Sequence, residues 1–419
     1  MLINKNIFNK IIKSDFFQNI LKMFSATAIA QFLQVLGSLL LARLYVPEQF
    51  GLFSIFMSII MFLVLLSTLR YESALIIEKH NNTTRALLNS LFTYILVFNT
   101  FVLIVLIFLP KSLLEHYKIY GFYYLIPIGI ITYSYYNTLI SYLIRNKKFG
   151  LIAKIKITIT FLIIFFQVLF YYLQIKYGLI LGFTLAYLLV DIYLFIIQKG
   201  KLKIYSTYRI KPILKKYFYL IKFGLPTQLV DTLTNAAMPF LIALWFGLET
   251  AGIYFFAYKI INLPLQLIGV SVGKVFYQKA SFLFNYNKKQ MYRLIINTII
   301  FTGTLVLIPL IILYFYSDKI IMIAVGEKWI KASEYISILV FMLFFRTISS
   351  AISPLADVLK KLHVILIFSV LLFNTSILSM YIGKLNNSFI YALKIISIVN
   401  AIIYISIIIY YIRIVKHTK

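Results

Sequence analysis

The chain has 419 residues, 62% of them hydrophobic, a mean hydropathy of +0.93, 41 Lys+Arg against 12 Asp+Glu, and no cysteine. So much apolar surface exceeds what a water-soluble core can hide, and near-uncharged runs of 18 or more residues recur along the sequence, as in membrane-spanning helices. Continuous rather than alternating apolarity excludes a β-barrel, and the missing thiols exclude disulfides, thiolate metal sites and cysteine nucleophiles.

Met1–Lys22 mixes apolar and basic side chains without a small-residue cleavage site, so it is not read as a cleavable signal. Twelve spans are expected. In the first half they lie near 23–45, 50–70, 87–109, 121–143, 155–175 and 178–198. In the second half they lie near 219–246, 250–273, 293–316, 334–358, 363–383 and 388–412. The fold class is thus an all-α polytopic membrane protein, two six-helix lobes (1–200 and 201–419) around a central cavity. Loops are short, the longest near 199–218 and 317–333. His80, His116, His363 and His417 lie singly at span ends or loops, so no metal cluster is suggested.

The net charge of +29 reads as topology rather than nucleic-acid binding, because the cations crowd loops beside spans. With a cytoplasmic N-terminus, thirty cations fall inside, among them Lys5, Lys10, Lys13, Lys22 and the eight from Lys199 to Lys222. Eight fall outside: Arg43, Lys111, Lys118, Lys176, Lys319, Lys328, Lys331 and Lys384. Both ends are therefore expected in the cytoplasm.

Polar residues recur at helical spacing within the spans. Span 1 carries Thr27, Gln31, Gln34 and Ser38, and span 7 carries Thr227, Gln228, Asp231, Thr234 and Asn235. Span 8 carries Lys259, Asn262 and Gln266; span 10 carries Arg346, Ser349, Ser350, Ser353 and Asp357; span 12 carries Lys394 and Ser397. Such stripes face one another or water, not lipid, and hydroxyls and amides can also simply join helices. Lys259, Arg346 and Lys394 say most. A charge at the bilayer centre costs roughly 2.5–3.5 kcal/mol on insertion scales, so it faces a wet cavity or a partner. With so few acids in the chain, the expected partner is an anionic cargo. Asp231 could pair with Lys259 on the next span, and Asp357 is the nearest acid for Arg346 and Lys394. Arg43 and Arg70, near span ends, are either anchors reaching the interface or gate and substrate contacts. Pro226, Pro239, Pro264, Pro309 and Pro354 lie within second-half spans, where each weakens its helix.

Ala42-Arg43-Leu44-Tyr45-Val46-Pro47-Glu48-Gln49-Phe50-Gly51-Leu52-Phe53 aligns with Ala243-Leu244-Trp245-Phe246-Gly247-Leu248-Glu249-Thr250-Ala251-Gly252-Ile253-Tyr254, with Ala, Glu and Gly in register. Both stretches join the first and second spans of a half. Repeats of six spans share one orientation, and transporters built this way bind cargo between the halves and expose it alternately.

The stretch Leu39–Phe53, together with Ala251–Lys259 followed by Pro264, resembles Wzx-type polysaccharide flippases of the multidrug/oligosaccharidyl-lipid/polysaccharide exporter superfamily. The resemblance implies flipping of an undecaprenyl-pyrophosphate-linked repeat unit, of O-antigen or a related surface polysaccharide, to the periplasmic leaflet of a bacterial inner membrane. It maps the family's acid–base pair on spans 7 and 8 onto Asp231 and Lys259. Lysine would bind phosphate as a point charge, without the bidentate fork of arginine. Implied partners are the lipid carrier, membrane lipids and other polysaccharide assembly proteins, with a monomeric chain, no cofactor and a transmembrane H+ or Na+ gradient as the energy source.

Competing readings are a multidrug-type exporter of the same superfamily, a fourteen-span lipid II flippase and a membrane glycan polymerase or glycosyltransferase. A drug exporter would favour acidic cavity residues, and a polymerase a long outer loop bearing catalytic acids or arginines. A major-facilitator carrier would show a Gly/Asp/Arg-rich loop where this chain has Glu78-Lys79-His80-Asn81-Asn82. No nucleotide-binding glycine loop is present, so transport without a chemical step is expected.

Overall fold

The computed structural model describes residues 15–198, 210–286, 288–359 and 361–417. Lys5, Lys10, Lys13, Lys199, Lys201, Lys203, Arg209, Lys360 and Lys419, counted above as cytoplasmic, lie outside the described residues, as do the side chains of Lys22, Lys211, Thr227, Lys288 and His417.

Twelve long helices occur among the described residues. In the first half they are α1 (Asp15–Leu44), α2 (Pro47–Thr68), α3 (Asn81–Phe108), α4 (Leu125–Arg145), α5 (Phe149–Tyr172) and α6 (Gly178–Gln198). In the second half they are α7 (Leu225–Phe246), α8 (Leu248–Tyr286), α9 (Lys288–Val325), α10 (Lys331–Ile352), α11 (Leu362–Leu385) and α12 (Phe389–His417). Eleven are long and apolar enough to cross a membrane. The twelfth, α4, is a 21-residue helix whose middle reads Tyr133-Ser134-Tyr135-Tyr136-Asn137-Thr138, and this polar girdle sets it apart. The chain is a multi-pass helical membrane protein.

Several helices outrun the expected spans. The segment expected as the longest outer loop, 317–333, is mostly helix: α9 runs on to Val325, leaving only a short turn before α10. Within it Ser333 Oγ donates to Asp318 and Ser317 Oγ donates to the Ser333 carbonyl at 3.3 Å, so Ser317 and Asp318 are satisfied without a break in the helix. α8 has 39 residues, about 58 Å at 1.5 Å per residue, well beyond a ~30 Å hydrocarbon core. Of the prolines, Pro239, Pro264 and Pro309 lie inside helices. Pro226 sits in the first turn of α7, where its missing N–H costs little, just after a π-helical turn at Leu220–Gly224. Pro354 stands in the break between α10 and the short helix Leu355–Val358.

The chain divides into two compact units. One comprises Met1–Gly37 and Ile59–Leu229, the other Ser38–Ser58 and Val230–Lys419. In the first unit α6 packs on α5 and α4, and α3 on α4. The short helix Tyr71–Ile77 joins α3 in a core of Tyr71, Leu75, Leu87, Leu88 and Leu91, over which Tyr217 closes. Beside this core Glu78 is buried and fully used. His80 N–H donates to it at 3.0 Å, and Lys216 Nζ and Tyr217 Oη each donate at 2.8 Å. Burial alone would push this carboxyl up; the backbone donor, Lys216 and Tyr217 reverse that and hold it at about 2. Arg145 clamps the same turn, donating to the Glu78 and Lys79 carbonyls and to Asn81 Oδ1, each at 2.9 Å. Tyr71 Oη donates to the Leu214 carbonyl at 3.0 Å. The segment leading into the second half is thereby moored to the first unit.

In the second unit α10 is central, packing against α8, α9 and α12, with α11 on α12. The Leu39–Phe53 stretch belongs here. Trp329 is fully buried, donates Nε1–H to the Ala42 carbonyl at 2.6 Å, and packs edge-on to Phe50 at 4.9 Å and against Phe256 at 4.5 Å. The two aligned glycines meet reciprocally. A Cβ on Gly51 would lie 2.1 Å from the Leu248 carbonyl, and one on Gly252 would lie 1.8 Å from the Pro47 carbonyl. Pro47 and Leu248 are themselves partners in the alignment, as are Gly51 and Gly252. The sequence repeat is therefore a local two-fold contact in space. Glycine at both positions is what lets the backbones approach so closely.

Candidate functional site

The second unit gathers a polar cluster around Arg346 from α8, α10, α7 and α12. On α8, Tyr254, Tyr258, Asn262 and Gln266 recur every four residues and so share a face. Arg346, in the second half of α10, donates Nη1–H to Tyr258 Oη and to Asn262 Oδ1, the latter at 3.3 Å. The Tyr258 ring lies 5.7 Å from the guanidinium carbon and stacks on Tyr254 at 5.7 Å. Asp231 on α7 and Tyr404 on α12 are within electrostatic range of Arg346. Lys259, next to Tyr258 and half-buried, has its ammonium 5.9 Å from the Phe255 ring.

No carboxylate lies within ion-pair distance of these cations among the described residues. Among the described residues, ion pairs within 4.0 Å join Lys111 to Glu115, Lys216 to Glu78 and Lys331 to Glu249, and none involves Lys259, Arg346 or Lys394. The suggested Asp231–Lys259 pair is thus not formed: Asp231 is exposed, and the group it acts on is Arg346. Asp357 also pairs with neither Arg346 nor Lys394; it is exposed in the short helix after α10 and acts on Tyr411. Arg346 therefore keeps a full positive charge, oriented by the neutral acceptors Tyr258 Oη and Asn262 Oδ1, inside an apolar helix. Hydrogen bonds to a charged group are worth about 1.5–3 kcal/mol each, enough to hold the guanidinium in one place.

The other candidates are dispersed. Lys394, in the second turn of α12, is exposed, and no described hydrogen bond holds it. Gln266 is exposed one turn beyond Asn262, and Gln31, in the first unit, is half-buried with its Oε1 unpartnered. Arg43 and Arg70 are reassigned. Arg43 donates Nε–H to the Ala324 carbonyl at 2.6 Å and Nη2–H to the Ile323 carbonyl at 2.8 Å, capping the C-terminal end of α9, where a cation suits the helix dipole. Arg70 donates Nη1–H to the Gly224 carbonyl at 2.8 Å, in the π turn before α7. Ser397 joins helices, donating to the Ile338 carbonyl at 2.6 Å.

Sequence reasoning overlooked Tyr254, Tyr258 and Tyr404, since 33 tyrosines gave no ground for choosing among them. For Tyr254 and Tyr258 the signal was the four-residue step onto Asn262. It also overlooked Asp191, a lone acid in the apolar α6, now 3% exposed.

Comparison with solved structures shows the fold. A structure described as the lipid II flippase MurJ in an inward closed conformation matches with a TM-score of 0.75 and 19% identity, over 93% of this chain and 87% of that one. A multidrug resistance MATE family transporter of the MOP superfamily, in an inward-facing conformation, matches with a TM-score of 0.70 and 13% identity, over 94% and 96%. A comparison with curated proteins finds no match. The family described as "Polysaccharide biosynthesis protein" matches residues 40–334, from the Arg43 stretch through α8 and α9, and the chain belongs to that family.

Proposed function

We propose that the chain is a flippase that carries an undecaprenyl-pyrophosphate-linked oligosaccharide, an O-antigen or related surface-polysaccharide repeat unit, from the cytoplasmic to the periplasmic leaflet of a bacterial inner membrane. Both termini are cytoplasmic, the working unit is the monomer, and alternating access is coupled to a transmembrane H+ or Na+ gradient. The observation that carries this reading is Arg346, fixed by Tyr258 and Asn262 with no carboxylate within 4.0 Å among the described residues. A pyrophosphate brings several negative charges to a place where an unpaired cation is poorly solvated, and at low effective dielectric the attraction is far stronger than in water. Lys259 adds a second cation one residue from the Tyr258 face. Asn262 and Gln266 offer amide groups to sugar hydroxyls, and the polyprenyl tail stays in lipid. A cationic drug would be repelled by the same cluster, so the multidrug reading is disfavoured.

The test is complementation of a strain deprived of its surface polysaccharide. Lys259→Ala and Arg346→Ala are each expected to abolish restoration of the polysaccharide while the protein accumulates normally in the membrane. Full restoration by both variants would remove the reading.

A further inference from the structure

Asp191 presents a problem that the Arg346 cluster does not solve. It lies in the first unit, two-thirds along α6, is 3% exposed, and has neither Oδ1 nor Oδ2 hydrogen-bonded. It lies among tyrosines: Tyr135 and Tyr136 of α4 and Tyr187 of α6 are within its electrostatic range. Tyr133 and Tyr136 both set their rings edge-on to Tyr187 at 5.0 Å. Among the described residues no cation answers it. α5 supplies Lys154 and Lys156, of which Lys156 donates to Thr27 at 3.2 Å, and α3 carries Arg85 and Tyr94; none forms an ion pair with Asp191 among the described residues. An ionised carboxylate buried without a partner would cost several kcal/mol, more than a local contact network could leave uncompensated. A proton removes that cost. Four phenols and one carboxyl are a poor cage for Na+, which seeks several charged or carbonyl oxygens.

We propose that Asp191 is a proton-binding site of the first unit: its carboxyl is neutral in the conformation seen here and releases its proton when the tyrosine girdle of α4 and α6 opens to water. On the transport reading above, on which this part rests, that proton is the coupling ion. Asp191 thus replaces the exposed Asp231 and Asp357 as the acid to test first.

The experiment separates the two layers. Infrared difference spectra of the full chain in liposomes, with no substrate, should show at neutral pH a protonated-carboxyl C=O band that Asp191→Asn removes. Absence of that band from the wild type overturns the site, whatever the cargo. Liposomes holding an inside-acid pH gradient and an entrapped pH-sensitive dye are then given undecaprenyl pyrophosphate. The wild type should dissipate the gradient, Asp191→Glu should dissipate it more slowly, and Asp191→Asn should bind the lipid within twofold of wild type yet leave the gradient intact. Dissipation by Asp191→Asn at the wild-type rate would make the carboxyl a permanently neutral packing group. Dissipation of a Na+ gradient instead would also overturn the proposal. If Asp191→Asn fails to elute as a monodisperse protein, the Asp191→Glu rate decides: a rate equal to wild type counts against the site.

Discussion

Replacing Glu78 by glutamine should loosen the segment that leads into the second half, by an amount that can be worked from the contacts. Held at about 2 instead of about 4.5, the carboxylate is stabilised by about 3 kcal/mol relative to water. Part of that comes from the His80 N–H, which the substitution leaves in place, and part from Lys216, whose side chain is 57% exposed and therefore screened. What ties the segment itself is chiefly Tyr217, its hydroxyl 2.8 Å from Oε2. We estimate the loss to the segment at about 1.5 kcal/mol, or about tenfold in its local opening equilibrium. Amide hydrogen exchange over residues 214–222 measures this directly, and glutamine should raise exchange there about tenfold while α3 is unchanged. The sign with pH is definite. The folded-state value lies below the unfolded one, so the contribution is complete above about pH 4.5 and fades as pH falls toward 2. The wild type should therefore approach the glutamine variant only in that acid window. Equal exchange in both proteins at neutral pH would refute the mooring.

Three further outcomes follow from packing and charge. Gly51→Leu and Gly252→Leu each place side-chain atoms where a carbonyl already lies about 2 Å from the Cβ position, so either should lower the thermal unfolding midpoint by several degrees, an overpacking cost of about 1–3 kcal/mol; an unchanged midpoint would contradict the two-fold contact. Arg43→Ala should destabilise the protein by about 1–3 kcal/mol through the uncapped carbonyls of Ile323 and Ala324 while leaving lipid affinity within twofold; a large affinity loss at unchanged stability would return Arg43 to the site. Arg346→Lys should retain partial complementation where Arg346→Ala retains none, because the charge survives but the fork that reaches both Tyr258 and Asn262 does not.

The membrane fold was legible because long apolar runs leave a backbone in lipid little choice but helix. Element ends were less so. Residues 317–333 read as a loop, yet Ser317 and Asp318 are met by Ser333 and the helix continues. The twelve-residue repeat was visible in one-dimensional form, but not that its glycines would touch each other across it. Site residues divided by a similar logic. Arg346 declared itself by charge in an apolar run. Arg43 and Arg70, near span ends, stood open between anchor and gate, and the carbonyls that hold them, at a helix end and in a π turn, lie 281 and 154 residues away in sequence. Asp191 had no polar stripe to mark it, because its companions are tyrosines, which serve equally well as lipid-facing or interfacial residues.

The central claim, that unpaired cations of α8 and α10 receive a pyrophosphate, is tested most directly by titrating undecaprenyl pyrophosphate into the purified chain and its Lys259→Ala and Arg346→Ala variants at fixed salt. Loss of one charge-assisted contact is worth about 1.5–3 kcal/mol, so each variant should bind about ten- to a hundredfold more weakly, with undecaprenol binding weakly to all three proteins. Equal affinity of all three proteins for the pyrophosphate lipid would contradict the account.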